Sequence, residues 1–152
     1  QGDLLRFCPP DGKADLVPRM EFVGRADDLI DIFGISRITT DTVVQALERT
    51  GIFHDKWFLT KEFKHRQLVL RLYTELDGAT DVVEMKRRLS RELRLIDRHW
   101  AEAIYTMGYN PLQIELVPPG TFRHLSDTQK RAHINPPEST MQEIDRLIRS
   151  KP

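Results

Sequence analysis

A chain of 152 residues with 39% apolar and 30% charged side chains can bury one modest core and is too apolar to be a disordered segment. Lys plus Arg equals Asp plus Glu at 23 each, so no net field draws the chain to nucleic acid or to anionic lipid. No apolar run approaches the roughly 20 residues that span a bilayer, and nothing resembles a secretory signal.

The single Cys8 excludes an internal disulfide and suits a reducing, cytoplasmic location. The chain begins on Gln1, directly at a strand-like segment, so the natural N-terminus is expected upstream. Residues 4–8 read as a short strand, and Pro9-Pro10-Asp11-Gly12-Lys13 carries turn chemistry. Residues 20–23 and 29–33 alternate as strands, with the charged Arg25-Ala26-Asp27-Asp28 as the turn between them. Thr40 or Asp41 is the expected N-cap of a short helix whose stripe, Val43, Val44 and Leu47, ends at Gly51.

Residues 56–62 and 67–76 read as two more strands, the second apolar on one face and mixed on the other. Residues 81 to about 107 form the longest helical pattern, with Met85, Leu89, Leu93, Ile96, Trp100 and Ile104 at steps of three or four. Tyr109-Asn110-Pro111 breaks it, residues 112–117 alternate as a last strand, and Pro118-Pro119-Gly120 turns the chain. Residues 121–137 show no clear period, and residues 138–150 form a terminal amphipathic helix on Met141, Ile144, Leu147 and Ile148. The order predicts an α+β fold: a small hairpin plus a twisted, mostly antiparallel sheet of about three main strands, flanked by two or three helices.

Several motifs carry a resemblance. Gly24-Arg25 with Asp27-Asp28, followed by the alternating Leu29-Ile30-Asp31-Ile32-Phe33 and Gly34, resembles the hinge motif of the adenylate-forming (acyl-CoA synthetase superfamily) enzymes. Gly2-Asp3-Leu4-Leu5-Arg6 resembles the Gly-Asp-Leu motif that ends the large domain of those enzymes. Asn110-Pro111-Leu112, running through Glu115-Leu116-Val117 into Pro119-Gly120-Thr121-Phe122, resembles the closing strand and turn of two branches. These are the phenylacetate-CoA ligase-like proteins and the acyl-acid amido synthetases. The motifs occur in order and cover residues 2 to about 125.

The resemblance implies the C-terminal domain of an ATP-dependent ligase that forms an acyl-AMP and passes the acyl group to CoA. ATP and CoA would be substrates, with Mg in the full-length enzyme and nothing bound by this fragment alone, which would be inactive. Its partner would be its own N-terminal adenylating domain. Residues 1–25 would be the end of that large domain and the hinge approach, residues 26–137 the lid, and residues 138–152 a terminal helix. An amine acceptor, as in the amido synthetases, is the alternative.

The same resemblance implies residue roles. Asp3 would hold the ribose hydroxyls, for which a carboxylate with two acceptor oxygens is suited. Arg25 would contact ribose or phosphate with its fork of donors. Asp27 would be the hinge, Gly34 would line the path of the CoA thiol where backbone must approach closely, and Lys130 would be the adenylation lysine that neutralises charge at the acyl phosphate. Two positions depart from the pattern. Asp31 stands where the acyl-CoA ligases usually have a basic residue, and Lys130 lacks the glycine that usually precedes that lysine. Ile134-Asn135 matches the start of an amido-synthetase motif, but Pro136-Pro137 follows it and the lysine is missing.

A competing reading of residues 29–47 is a helix-turn-helix DNA-binding module centred on Gly34, but its recognition helix would carry Asp41 and no base-reading cation. His54, His65, His99, His124 and His133 are scattered without metal-ligand spacing, Glu115 has no carboxylate at acid-base spacing, and Trp57 and Trp100 sit in apolar patterns that suit packing. No phosphate-cradling glycine loop occurs.

Overall fold

The computed structural model describes residues 3–8, 19–25, 29–51, 56–75, 81–125 and 133–149. Strands β1 (Asp3–Cys8) and β2 (Arg19–Arg25) form an antiparallel ribbon with a register shift between Leu4 and Leu5. A second antiparallel ribbon joins β3 (Leu29–Ile32) to β4 (Ser36–Thr39). The expected hairpin across the charged turn is therefore corrected: β2 and β3 pair in different sheets. The reversal lies instead at Phe33 and Gly34, whose positive φ values of 53° and 73° suit a tight hairpin turn that matches the right-handed twist of its strands. This fold also overturns the helix-turn-helix reading, because residues 29–32 and 36–39 are paired strands and residues 29–47 hold part of one helix rather than two helices.

That helix, α1 (Thr40–Thr50), begins one or two residues earlier than the expected cap at Thr40 or Asp41 implied. Thr39 is the cap and accepts from the Thr42 N–H at 3.2 Å, while Gly51 ends the helix at φ 70°. Strands β5 (Trp57–Lys64) and β6 (Gln67–Glu75) pair antiparallel, and β7 (Leu112–Val117) joins β6 in parallel, giving the order β5-β6-β7.

A parallel neighbour requires a crossover, and helices α2 (Val82–Ile96) and α3 (Arg98–Met107) supply it. The sequence pattern read these as one helix. Asp97 divides them: its backbone is extended, one carboxylate oxygen caps α3 through the His99 N–H at 2.9 Å, and the other accepts from the Ser36 hydroxyl at 2.5 Å. The apolar period continues across the break because Leu93 and Trp100 face the same core.

Period-two alternation sends the three-stranded sheet to two cores. Leu59, Leu70, Leu72 and Leu112 pack under α1, α2 and α3 with Val43, Leu47, Leu89 and Trp100, and Ile30, Ile32 and Ile38 of the small ribbon join that cluster. On the opposite face Phe58, Tyr73 and Val117 meet Phe122 of a short 3-10 turn (Thr121–His124) and Ile144 of α4 (Glu138–Arg149). Both tryptophans are buried packing residues, as their patterns indicate. The architecture is the expected α+β arrangement of hairpin, three-stranded sheet and flanking helices. Among the described residues, no helix is long and apolar enough to cross a membrane.

Candidate functional site

The β3–β4 hairpin presents its turn outward while its three isoleucines anchor it in the core. Ile35 N–H closes the turn on the Ile32 carbonyl at 2.9 Å. Asp31 organises it further. Its Oδ2 accepts from the Gly34 N–H at 3.0 Å, and its Oδ1 lies 3.5 Å from Arg37 Nε. The departure at Asp31 thus has a local use: the carboxylate is committed to its own hairpin. Gly34 is exposed, and a Cβ there would meet nothing within 4 Å, so the backbone at the turn is open to approach.

The turn is also held from outside. Lys61 Nζ donates to the Asp31 carbonyl at 2.6 Å. Phe63 meets Phe33 edge to face, with ring centroids 6.3 Å apart at 66°, and both rings are mostly exposed. Sequence reasoning missed Lys61 and Phe63, because they come from β5 and nothing local ties them to the motif.

Asp3 and Arg25 are brought together by register: they are cross-strand partners at one end of the β1–β2 ribbon. Asp27 and Lys130 lie outside the described residues.

Both flanks of the segment that contains Lys130 are fixed. On the N-terminal side, Glu75 of β6 accepts from the Gly120 N–H at 2.9 Å and the Phe122 N–H at 2.5 Å, clamping the Pro-Gly-Thr-Phe turn; the Thr121 hydroxyl adds a bond to the Pro118 carbonyl at 2.6 Å. On the C-terminal side, His133 stacks on Trp57 with ring centroids 4.7 Å apart, and its Nδ1–H donates to the Trp57 carbonyl at 3.0 Å. Leu59 N–H and carbonyl then pair with His133 and Asn135, so residues 133–135 run along the edge of β5. Glu75 was not foreseen as functional; its only sequence signal is its place at the end of the strand that leads into Asp77-Gly78.

Other polar groups have structural partners. Arg71 lies 3.4 Å from both Glu115 and Glu62, which accounts for Glu115. Burial, and next the charge of Glu62, push the Tyr73 phenol up to about 12. Among the described residues, no three His, Cys, Asp or Glu side chains converge to hold a metal ion, and no step is assigned to the implied Mg.

The chain matches no protein-family model and no curated protein sequence. It does match solved structures. GH3.15 acyl acid amido synthetase superposes with a TM-score of 0.63 over 97% of this chain, at 18% identity. A complex titled AtGH3.15 acyl acid amido synthetase with 2,4-DB gives a TM-score of 0.60 at 17% identity over the same share. A domain of phenylacetate-coenzyme A ligase from Bacteroides vulgatus ATCC 8482 aligns over 71% of this chain and 91% of its own at a TM-score of 0.37 and 20% identity, too loose to bear on any reading. The chain spans 30% of the length of the synthetase, and at this identity the likeness establishes a shared fold. The fold expected from the order of strands and helices is thus found in part of a solved acyl acid amido synthetase.

Proposed function

We propose that this chain is the C-terminal lid domain of an ATP-dependent carboxylate-activating ligase. The observation that carries this reading is the agreement of two independent features. The hinge-like motif runs into an outward hairpin turn at Gly34, and the chain shares the fold of part of an adenylate-forming synthetase over 97% of its length. In the longer protein an N-terminal domain binds ATP and the acid, and the first half-reaction makes acyl-AMP and pyrophosphate. Asp3 and Arg25 hold the ribose, and Lys130 steadies charge at the acyl phosphate. Residues 26–28 join two ribbons that pair separately, so rotation about Asp27 would swing the lid without breaking a sheet. That swing brings the Gly34 turn to the acyl-AMP for transfer.

CoA is the acceptor in the first form of this proposal. An amine is the second reading, and Asp31 favours it: where the CoA ligases usually place a cation, this hairpin has a carboxylate bonded to its own turn. The deciding experiment is acid-dependent ATP–pyrophosphate exchange by the longer protein with a panel of aryl and alkyl acids, followed by CoA or amino acids as acceptors. Exchange with one acid class and consumption of acyl-AMP by CoA supports the first form, and consumption by an amine alone supports the second. Absence of exchange with every acid, from folded protein, removes the ligase reading.

A further inference from the structure

The turn at Phe33 and Gly34 is gripped by two side chains of β5 that no motif includes. Lys61 and Phe63 lie two residues apart on the strand and therefore on one face of it. Lys61 reaches the Asp31 carbonyl at 2.6 Å and also stands 5.8 Å above the Phe63 ring. Phe63 in turn meets Phe33, which occupies the left-handed region at φ 53°. Burial does not account for the pair, since Phe33 is 58% and Phe63 61% exposed. The contacts instead form a brace from the rigid three-stranded sheet to an outward turn.

We infer that Lys61 is a positioning residue for acyl transfer to the acceptor, acting through Asp31 and through Phe63 on the turn that Gly34 presents. This rests on the ligase reading above. The chemistry predicts a split between half-reactions. In the reading above adenylation uses Asp3, Arg25 and Lys130, whereas Lys61 braces the turn that serves the second half-reaction; its bond toward Asn135 uses the Lys61 backbone N–H and survives substitution. Transfer needs the turn in one pose, and a turn that samples several lowers the competent fraction.

The test compares Lys61→Met, Lys61→Arg and Phe63→Leu in the longer protein, by acid-dependent pyrophosphate exchange and by single-turnover consumption of preformed acyl-AMP with CoA and with amino acids. Lys61→Met is expected to leave exchange within about twofold and to lower kcat/KM for the acceptor at least tenfold. Lys61→Arg, which keeps a long cationic donor, should recover transfer to within about threefold. Phe63→Leu, at an exposed position that does not threaten folding, should slow transfer while sparing exchange. Equal losses in both half-reactions, no loss in transfer, or an arginine variant as poor as the methionine variant would overturn the role. Absence of exchange in the unsubstituted protein is a different result: it removes the ligase reading and this role with it.

Discussion

Asp3 and Arg25 face each other across the β1–β2 ribbon, although 21 positions separate them in the chain. The two residues assigned to the ribose therefore share one address in the fold. Replacing either by Ala should lower pyrophosphate exchange by at least tenfold in the longer protein. The double variant should be little worse than the weaker single one, because groups that act on one ligand as a unit are non-additive. Additive losses in the cycle would separate them.

Lys130 lies between two fixed flanks, so its substitution should leave the scaffold intact. Lys130→Ala is expected to reduce exchange by about a hundredfold or more, the scale on which single electrostatic groups act at a developing charge, with an unchanged melting temperature. Unchanged exchange would take Lys130 off the catalytic residues.

Glu75 accepts two backbone N–H bonds from the Pro-Gly-Thr-Phe turn. Glu75→Ala strands both donors and should destabilise the domain by about 1–3 kcal/mol in chemical denaturation. Glu75→Gln keeps one acceptor oxygen and should fall between.

Gly34 has φ 73° and open space where a Cβ would project. Gly34→Ala should therefore lose about 1–2 kcal/mol from backbone strain alone, without a clash. A loss of acceptor transfer much beyond that destabilisation, at unchanged exchange, would mark the close approach of an acceptor to the turn.

Tyr73 has its phenol pushed up to about 12 by burial and by Glu62. The folded state thus holds the proton more tightly than the unfolded chain, whose phenol titrates near 10. The associated stability is complete below pH 10 and is lost as pH rises from there toward 12. Urea denaturation across that window should show a steeper decline for the native chain than for Tyr73→Phe.

Much of the fold was legible where the period was long and uninterrupted, as in β5, β6, β7, α1 and the terminal helix. It failed where side chains redirected the backbone. Asp97 stops one helix and caps the next, yet the apolar stripe continues past it and hides the break. Strand β4, Ser-Arg-Ile-Thr, is only four residues long and abuts a helix, so it left no separate signal. For the site, the motifs singled out Asp3, Arg25 and Gly34, but not that register sets the first two opposite each other. They could not reveal Lys61, Phe63 or Glu75, whose roles exist only once β5 and β6 lie beside distant turns.

The strip formed by residues 133–135 has a consequence for how the domain behaves among its neighbours. Leu59 spends both its N–H and its carbonyl on that strip, and the Lys61 N–H turns to Asn135 Oδ1. An outer strand with those groups free is a template on which a second chain can add. Here the template is already occupied by the protein's own backbone, which guards that edge against self-association.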